Sequence, residues 1–176
     1  MQKLSASISN IPIVSLRTGA KVGMALRPLI NPDNLKIEAW FANSVFEGGT
    51  LLLPTVEIRE ISRYGIAVND HESITNASEL VRFTNLLRLD FQLLGKTVKT
   101  ESHQYLGKIE DYATDLESYF IQKLYVGPSM LKSLSKKKLI ISRNQIVEIN
   151  DKAVIVKGPE VNLKSLFKPV ARNAEA

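Results

Sequence analysis

The chain has 176 residues, enough for one large domain or two small ones. Its 44% hydrophobic and 23% charged content is ordinary for a globular protein, and the lack of cysteine excludes disulfides, thiolate metal sites and a cysteine nucleophile. No stretch approaches the roughly 20 apolar residues that cross a bilayer, and residues 1–6 lack the apolar core of a signal peptide. We therefore expect a cytoplasmic protein.

The net charge of +5 is concentrated in the second half of the chain. Residues 1–88 hold 9 Lys and Arg against 8 Asp and Glu, whereas residues 89–176 hold 14 against 10. The most basic stretch is Lys136, Lys137 and Lys138. Both a solvated loop and a surface for an acidic protein, RNA or anionic lipid fit this stretch. Aromatic residues do not interleave with the lysines, so the pattern gives no support for stacking on single-stranded nucleic acid.

Short apolar runs separated by turn residues follow one another along the chain. Residues 1–10 are small and polar, which predicts a loose lead-in. The runs are rich in β-branched and aromatic residues, which is typical of small antiparallel barrels and sandwiches. In the first half they predict strands at residues 11–16, 21–26, 35–41 and 51–53, and a hairpin of 56–62 with 66–68. In the second half the runs are 94–98, 105–109, 119–126, 139–141, 145–149 and 153–156.

The two halves match at a nearly constant spacing. Gly23 and Gly107 are 84 residues apart, as are Val14 and Val98. Beyond the next loop the spacing becomes 88, so that Leu51 matches Leu139. One four-residue insertion before Leu139 reconciles the two spacings. A constant offset through six segments predicts a duplicated unit.

A helical pattern lies between the two halves, and a weaker one follows them. Asn76 and Glu79 have capping-box spacing, and apolar residues then recur at helical intervals, so residues 76–90 are predicted to form a helical linker. Residues 161–169 predict an equivalent short helix before a disordered tail, with its apolar side chains docked on the protein's own barrel, a partner or a membrane. The predicted units are therefore 11–75, the linker 76–90, 91–158, and the C-terminal helix and tail 159–176.

The repeated unit resembles the PRC-barrel family. In the second half the resemblance rests on Leu94-Gly95-Lys96-Thr97-Val98, on Leu106-Gly107-Lys108-Ile109-Glu110-Asp111-Tyr112, and on the two final strands. The first half departs from it where Arg27-Pro28 replaces Asp111-Tyr112. This family includes the reaction-centre H subunit, the C-terminal part of the ribosome-maturation factor RimM, and many stand-alone prokaryotic proteins. The resemblance implies two tandem antiparallel β-barrels with a binding or assembly role, at a protein, a ribosome or a membrane complex.

The sequence offers no catalytic constellation. His71 and His103 both lie in polar turns, where neighbouring carboxylates rarely converge on one ion, and neither a phosphate-binding loop nor a nucleophile elbow is present. We therefore predict a protein that is not an enzyme and that needs no cofactor and no metal.

Trp40 is the single tryptophan, on a predicted strand where Ile37, Ala39 and Phe41 would share one face and Trp40 the other. It fits either packing, between the two units or against the linker helix, or a hot spot for a partner. The sequence thus predicts an adaptor that acts through protein–protein contacts, with Trp40 and Lys136, Lys137 and Lys138 as candidate contact residues. An RNA- or ribosome-associated maturation factor, a peripheral component of a membrane complex, and self-association through a strand edge are the alternatives.

Overall fold

The computed structural model describes residues 1–128 and 139–158. Within these residues the fold is mainly β, with a curled half-barrel sheet and one short α-helix. The elements described are β1 (Gln2–Leu4), β2 (Ile11–Ser15), β3 (Lys21–Asn31), β4 (Lys36–Ser44), β5 (Leu51–Pro54), β6 (Ile58–Ser62), β7 (Gly65–Val68), β8 (Thr75–Asn76), α1 (Thr84–Leu89), β9 (Thr97–Thr100), β10 (Tyr105–Asp115), β11 (Ile121–Pro128), β12 (Leu139–Ser142), β13 (Ile146–Ile149) and β14 (Ala153–Val156).

These strands form two sheets with corresponding orders. In the first sheet the order is β6-β7-β2-β3-β4-β5-β8. In the second sheet it is β13-β14-β9-β10-β11-β12, with β1 added to β10. The hairpin predicted around Arg63-Tyr64-Gly65 is confirmed as the antiparallel pair β6–β7.

Both sheets are mixed, whereas the sequence predicted antiparallel barrels. β2 pairs with β7 in parallel, and β9 pairs with β14 in parallel. The reason lies in the step from β5 to β6. A short 3-10 turn, Thr55–Glu57, joins β5 to β6, and both strands run in the direction opposite to β2. The β6–β7 hairpin then reverses the chain, so β7 lies parallel to β2.

The long strands of both sheets carry bulges at corresponding positions. Glu38 is unpaired between Ile37, which pairs with Ile30, and Ala39, which pairs with Leu29. Because an extra residue reverses the alternation of a strand, Ile37 faces the main core together with Trp40, and Ala39 faces the other side. The prediction that Ile37 and Ala39 share a face is therefore wrong. The bulged residues are Leu26 and Glu38 in the first sheet and Glu110 and Gln122 in the second, 84 residues later.

The first strands of the two halves correspond at a spacing of 85, not 84. Ile13 pairs with Gly23 and with Ile66, and Val98 makes the equivalent pairs with Gly107 and Val154. Val98 therefore corresponds to Ile13 and not to Val14 as the sequence suggested. The turn that follows is five residues long after β2 and four after β9, which accounts for the shift.

Residues 1–10 are ordered, which corrects the prediction of a loose lead-in. β1 pairs with β10 of the second sheet, and the backbone N–H and hydroxyl of Ser5 donate to the Asp111 carboxylate at 3.1 and 2.6 Å. The side chain of Ile8 is fully buried, and its carbonyl accepts a 2.7 Å hydrogen bond from the Trp40 indole of the first sheet. The segment therefore ties the two sheets together.

The two sheets also meet through reciprocal backbone hydrogen bonds. The Ile37 N–H donates to the Tyr119 carbonyl, and the Ile121 N–H donates to the Leu35 carbonyl, each at 2.9 Å. Leu35 and Tyr119 both have positive φ, at 53° and 61°. Leu35 and Ile37 lie 84 positions before Tyr119 and Ile121, respectively, so the two hydrogen bonds are equivalent and the contact has approximate twofold symmetry. One apolar core draws residues from both sheets.

The α-helix between the halves is shorter than predicted. α1 begins at Thr84, after two 3-10 turns at Ala77–Glu79 and Val81–Phe83. Asn76, which the sequence predicted to form a capping box with Glu79, caps a 3-10 turn: its side chain accepts a 3.0 Å hydrogen bond from the Ser78 N–H. Phe83 from this linker packs with Leu29, Ala39 and Leu52 on the outer face of the first sheet.

Candidate functional site

Trp40 lies inside the protein, at the contact between the two halves. Its side chain is fully buried, its indole N–H donates to Ile8, and its ring meets the Tyr119 ring edge-on at 6.0 Å between centroids. The bulge at Glu38 sets this orientation, since it turns Trp40 and Ile37 towards the same core. No part of the indole is exposed to a partner.

The lysines singled out by the sequence, Lys136, Lys137 and Lys138, lie outside the described residues. The next basic residue in the sequence, Arg143, is described, and its guanidinium lies 4.2 Å from the centroid of the Phe120 ring. Lys36 of the first half lies 5.9 Å from the same ring. These two cations therefore flank an aromatic side chain at the junction of the halves.

Three large apolar side chains are exposed at one end of the first sheet. Leu16, Val45 and Phe46 are 60%, 61% and 63% exposed, and we call them the Phe46 surface. Leu16 follows β2 and its N–H donates to Val68 at the end of β7. Val45 follows β4 and its N–H donates to Val22 near the start of β3. All three residues therefore lie at the same end of the sheet, where β2, β4 and β7 end and β3 begins.

The polar groups beside the Phe46 surface are paired with one another. The His71 ring lies 4.8 Å from the Phe46 ring, and its Nδ1 is 2.8 Å from Asp70. Asp70 also accepts from the His71 backbone N–H at 2.6 Å and forms an ion pair with Arg17. The hydrogen bond from His71, with the nearby Arg17 charge, lowers the pKa of Asp70 below its usual value. Arg17 is thus partly neutralised, and the surface is mainly apolar in character.

Sequence reasoning did not identify the Phe46 surface. The sequence did contain a signal for it: Val45 and Phe46 come directly before the polar loop Glu47-Gly48-Gly49. A solvent-exposed turn needs no large apolar side chain at these positions. The residue that corresponds to Leu16 in the second half is Glu101. At this one position, therefore, the second half carries a charged side chain where the first half carries an apolar one.

Within 1–128 and 139–158, no cluster of three or more His, Asp and Glu side chains could hold a metal ion. His71 is engaged by Asp70, and His103 lies in an exposed turn with φ of 63°. Among the described helices, none has both the length and the hydropathy required to cross a bilayer.

Comparison with known proteins assigns no family to the chain. No family model matches it, and it matches none of the curated proteins with which it was compared. The functional argument therefore rests on the geometry of the residues themselves.

Proposed function

We propose that the chain is a tandem PRC-barrel protein, with residues 11–75 and 91–158 as two related barrels. The corresponding strand orders and the bulges at Leu26 and Glu110, and at Glu38 and Gln122, support a duplicated origin. A bulge is a local feature that families keep, so its recurrence at a fixed spacing is stronger support than a match of apolar residues alone.

The protein serves, in this proposal, as a cytoplasmic, non-enzymatic adaptor that binds another protein through the Phe46 surface. The observation that carries the proposal is the exposure of Leu16, Val45 and Phe46 at one end of the first sheet. Exposed clusters of large apolar side chains mark interaction sites, and aromatic residues often dominate the binding energy there. The partner would present an apolar patch and would need no cofactor or metal.

A protein partner suits this surface better than RNA does. Binding to phosphates depends on cations that are free to displace counterions. Arg17, beside the Phe46 surface, is already paired with Asp70.

The test is affinity capture with the full chain from a lysate of the cells that make it, followed by mass spectrometry, with and without nuclease. The bait proteins are the wild type, Phe46→Ser, and the control Tyr64→Ser. Tyr64 is also an exposed aromatic residue, at 71%, but it lies in the β6–β7 turn at the opposite end of the first sheet.

We expect the wild type and Tyr64→Ser to retain the same protein after nuclease treatment. Phe46→Ser should retain it about 30-fold less well, since a binding hot spot contributes about 2 kcal/mol. Equal capture by all three baits would refute the Phe46 surface. Loss of the captured protein on nuclease treatment would favour an RNA- or ribosome-associated role instead.

A further inference from the structure

A small cavity lies between the two halves of the protein. Its volume is about 120 Å³. The first half contributes Pro28 and Ile30 to its lining, the chain between α1 and β9 contributes residues 91–94, and the second half contributes Tyr112. An engineered apolar cavity of about 150 Å³ binds benzene, so this cavity suits a ligand of about four to six carbon atoms.

The cavity coincides with a difference between the two halves. Pro28 and Tyr112 occupy equivalent positions, 84 residues apart, and both line it, so the cavity lies close to the approximate twofold axis. The side chain of Pro28 is much smaller than that of Tyr112, which leaves space on its side of the contact. The walls are largely apolar, and Ile30 and Leu93 are only 4% and 1% exposed.

The Tyr112 hydroxyl is a polar group without a protein partner in this apolar lining. Tyr112 is 2% exposed, and within the part of the chain that the structure describes its hydroxyl makes no hydrogen bond. The hydroxyl is not sealed in the core, because the only fully enclosed and unpartnered side-chain polar atom among the described residues is Thr114 Oγ1. Burial raises the pKa of Tyr112 far above its usual value, so the hydroxyl stays protonated and can donate. Buried polar groups normally have a partner, so this donor indicates a place for an acceptor from outside the protein.

Arg27 also lines the cavity, and two contacts hold its side chain in place. The guanidinium lies 3.9 Å from the centroid of the Phe41 ring and donates a 3.1 Å hydrogen bond to Asp90. Asp90 directly precedes the lining residues 91–94, which places the guanidinium beside the cavity. The other N–H groups of the guanidinium have no acceptor among the described residues. Asp90 is 65% exposed, so its ion pair with Arg27 is weak and leaves the cation able to bind a second anion.

We propose that this cavity binds a small aliphatic carboxylate of about four to six carbon atoms. The carboxylate accepts hydrogen bonds from the Arg27 guanidinium and the Tyr112 hydroxyl, and the aliphatic chain packs against Pro28 and Ile30. The planar guanidinium is the side-chain group best matched to a carboxylate, and the apolar walls stabilise an alkyl chain that leaves water. The inference does not depend on the Phe46 surface, which shares no residue with the cavity.

Titration of the isotope-labelled full chain with 3-methylbutanoate, followed by NMR at constant ionic strength, tests this inference. The measured quantity is the dissociation constant from the shifts of the residue 92–94 amides. A second titration uses 3-methylbutanamide, which has the same carbon skeleton but no charge. The variants are Arg27→Gln, Tyr112→Phe and the control Arg82→Gln. Arg82 also lies over an aromatic ring, 4.6 Å from the Phe83 centroid, but it does not line the cavity.

We expect saturable shifts with the same dissociation constant in the wild type and in Arg82→Gln. Arg27→Gln should weaken binding at least about tenfold, and Tyr112→Phe at least about fivefold, because each loses a hydrogen bond to a charged group. The amide should bind the wild type at least about tenfold more weakly than the acid. The absence of saturable shifts up to about 50 mM acid, equal binding of acid and amide, or unchanged affinity in Arg27→Gln or Tyr112→Phe would overturn the proposal.

Discussion

Gly107 lies on β10 close to the backbone of Gly127 on β11. Its φ is +147°, and a Cβ added there would lie 2.0 Å from the Gly127 carbonyl oxygen. We expect Gly107→Ala to lower the free energy of unfolding by about 3 kcal/mol, because backbone strain and the steric contact each cost about 1–3 kcal/mol. Urea denaturation followed by circular dichroism measures the change.

Gly95→Ala is the matched control for Gly107. Gly95 also has positive φ, at +79°, but no atom lies within 4 Å of an added Cβ. The substitution should therefore cost only the conformational strain, about 1 kcal/mol. If both variants were destabilised equally, the close approach of β10 to Gly127 would not be what requires glycine at position 107.

At the scale of single elements, the strands were easier to predict than their irregularities. Apolar runs bounded by Gly, Pro and Asn located most strands, since alternation and turn chemistry are local properties. The bulges at Glu38 and Gln122 could not be predicted, because Glu and Gln also occur at regular strand positions and do not mark a bulge in the sequence. The Phe46 surface was likewise missed, because exposure depends on what the rest of the fold leaves uncovered.

The N-terminal segment was missed for a related reason. Residues 5–9 are Ser-Ala-Ser-Ile-Ser, and only Ile8 among them carries a large apolar side chain. The order of this segment comes from distant partners, namely Asp111 on β10 and the Trp40 indole on β4. Such long-range hydrogen bonds leave no periodic pattern in the segment itself.

Trp40→Phe tests the role of this segment as a link between the sheets. The substitution keeps an aromatic ring but removes the donor to the Ile8 carbonyl, which is then left without that partner. We expect the free energy of unfolding to fall by about 2 kcal/mol, the usual cost of an unsatisfied buried group. The amides of β1 should also exchange faster with solvent, because one of the anchors of the segment is lost.

Tyr64→Phe provides the comparison, since it removes a polar atom from an aromatic side chain that is 71% exposed. Its effect on stability should stay within about 0.5 kcal/mol. Unchanged stability and unchanged β1 exchange in Trp40→Phe would show that the indole does not anchor the N-terminal segment.

At the scale of the whole molecule, the two sheets are arranged as a pair about an approximate twofold axis. The bonds from Ile37 to Tyr119 and from Ile121 to Leu35 are equivalent under that axis, and the main apolar core continues from one sheet to the other. A small barrel alone buries little apolar surface, so sharing a core benefits both halves. Our central claim is that the two halves form one cooperative structure.

Differential scanning calorimetry of the wild type and Gly107→Ala tests this claim most directly. We predict one transition in each protein, with a ratio of calorimetric to van't Hoff enthalpy of about 1, and a lower Tm for the whole transition in the variant. Two transitions, of which only one moves in Gly107→Ala, or a single transition with a ratio of about 2, would show that the halves unfold independently and would contradict the claim.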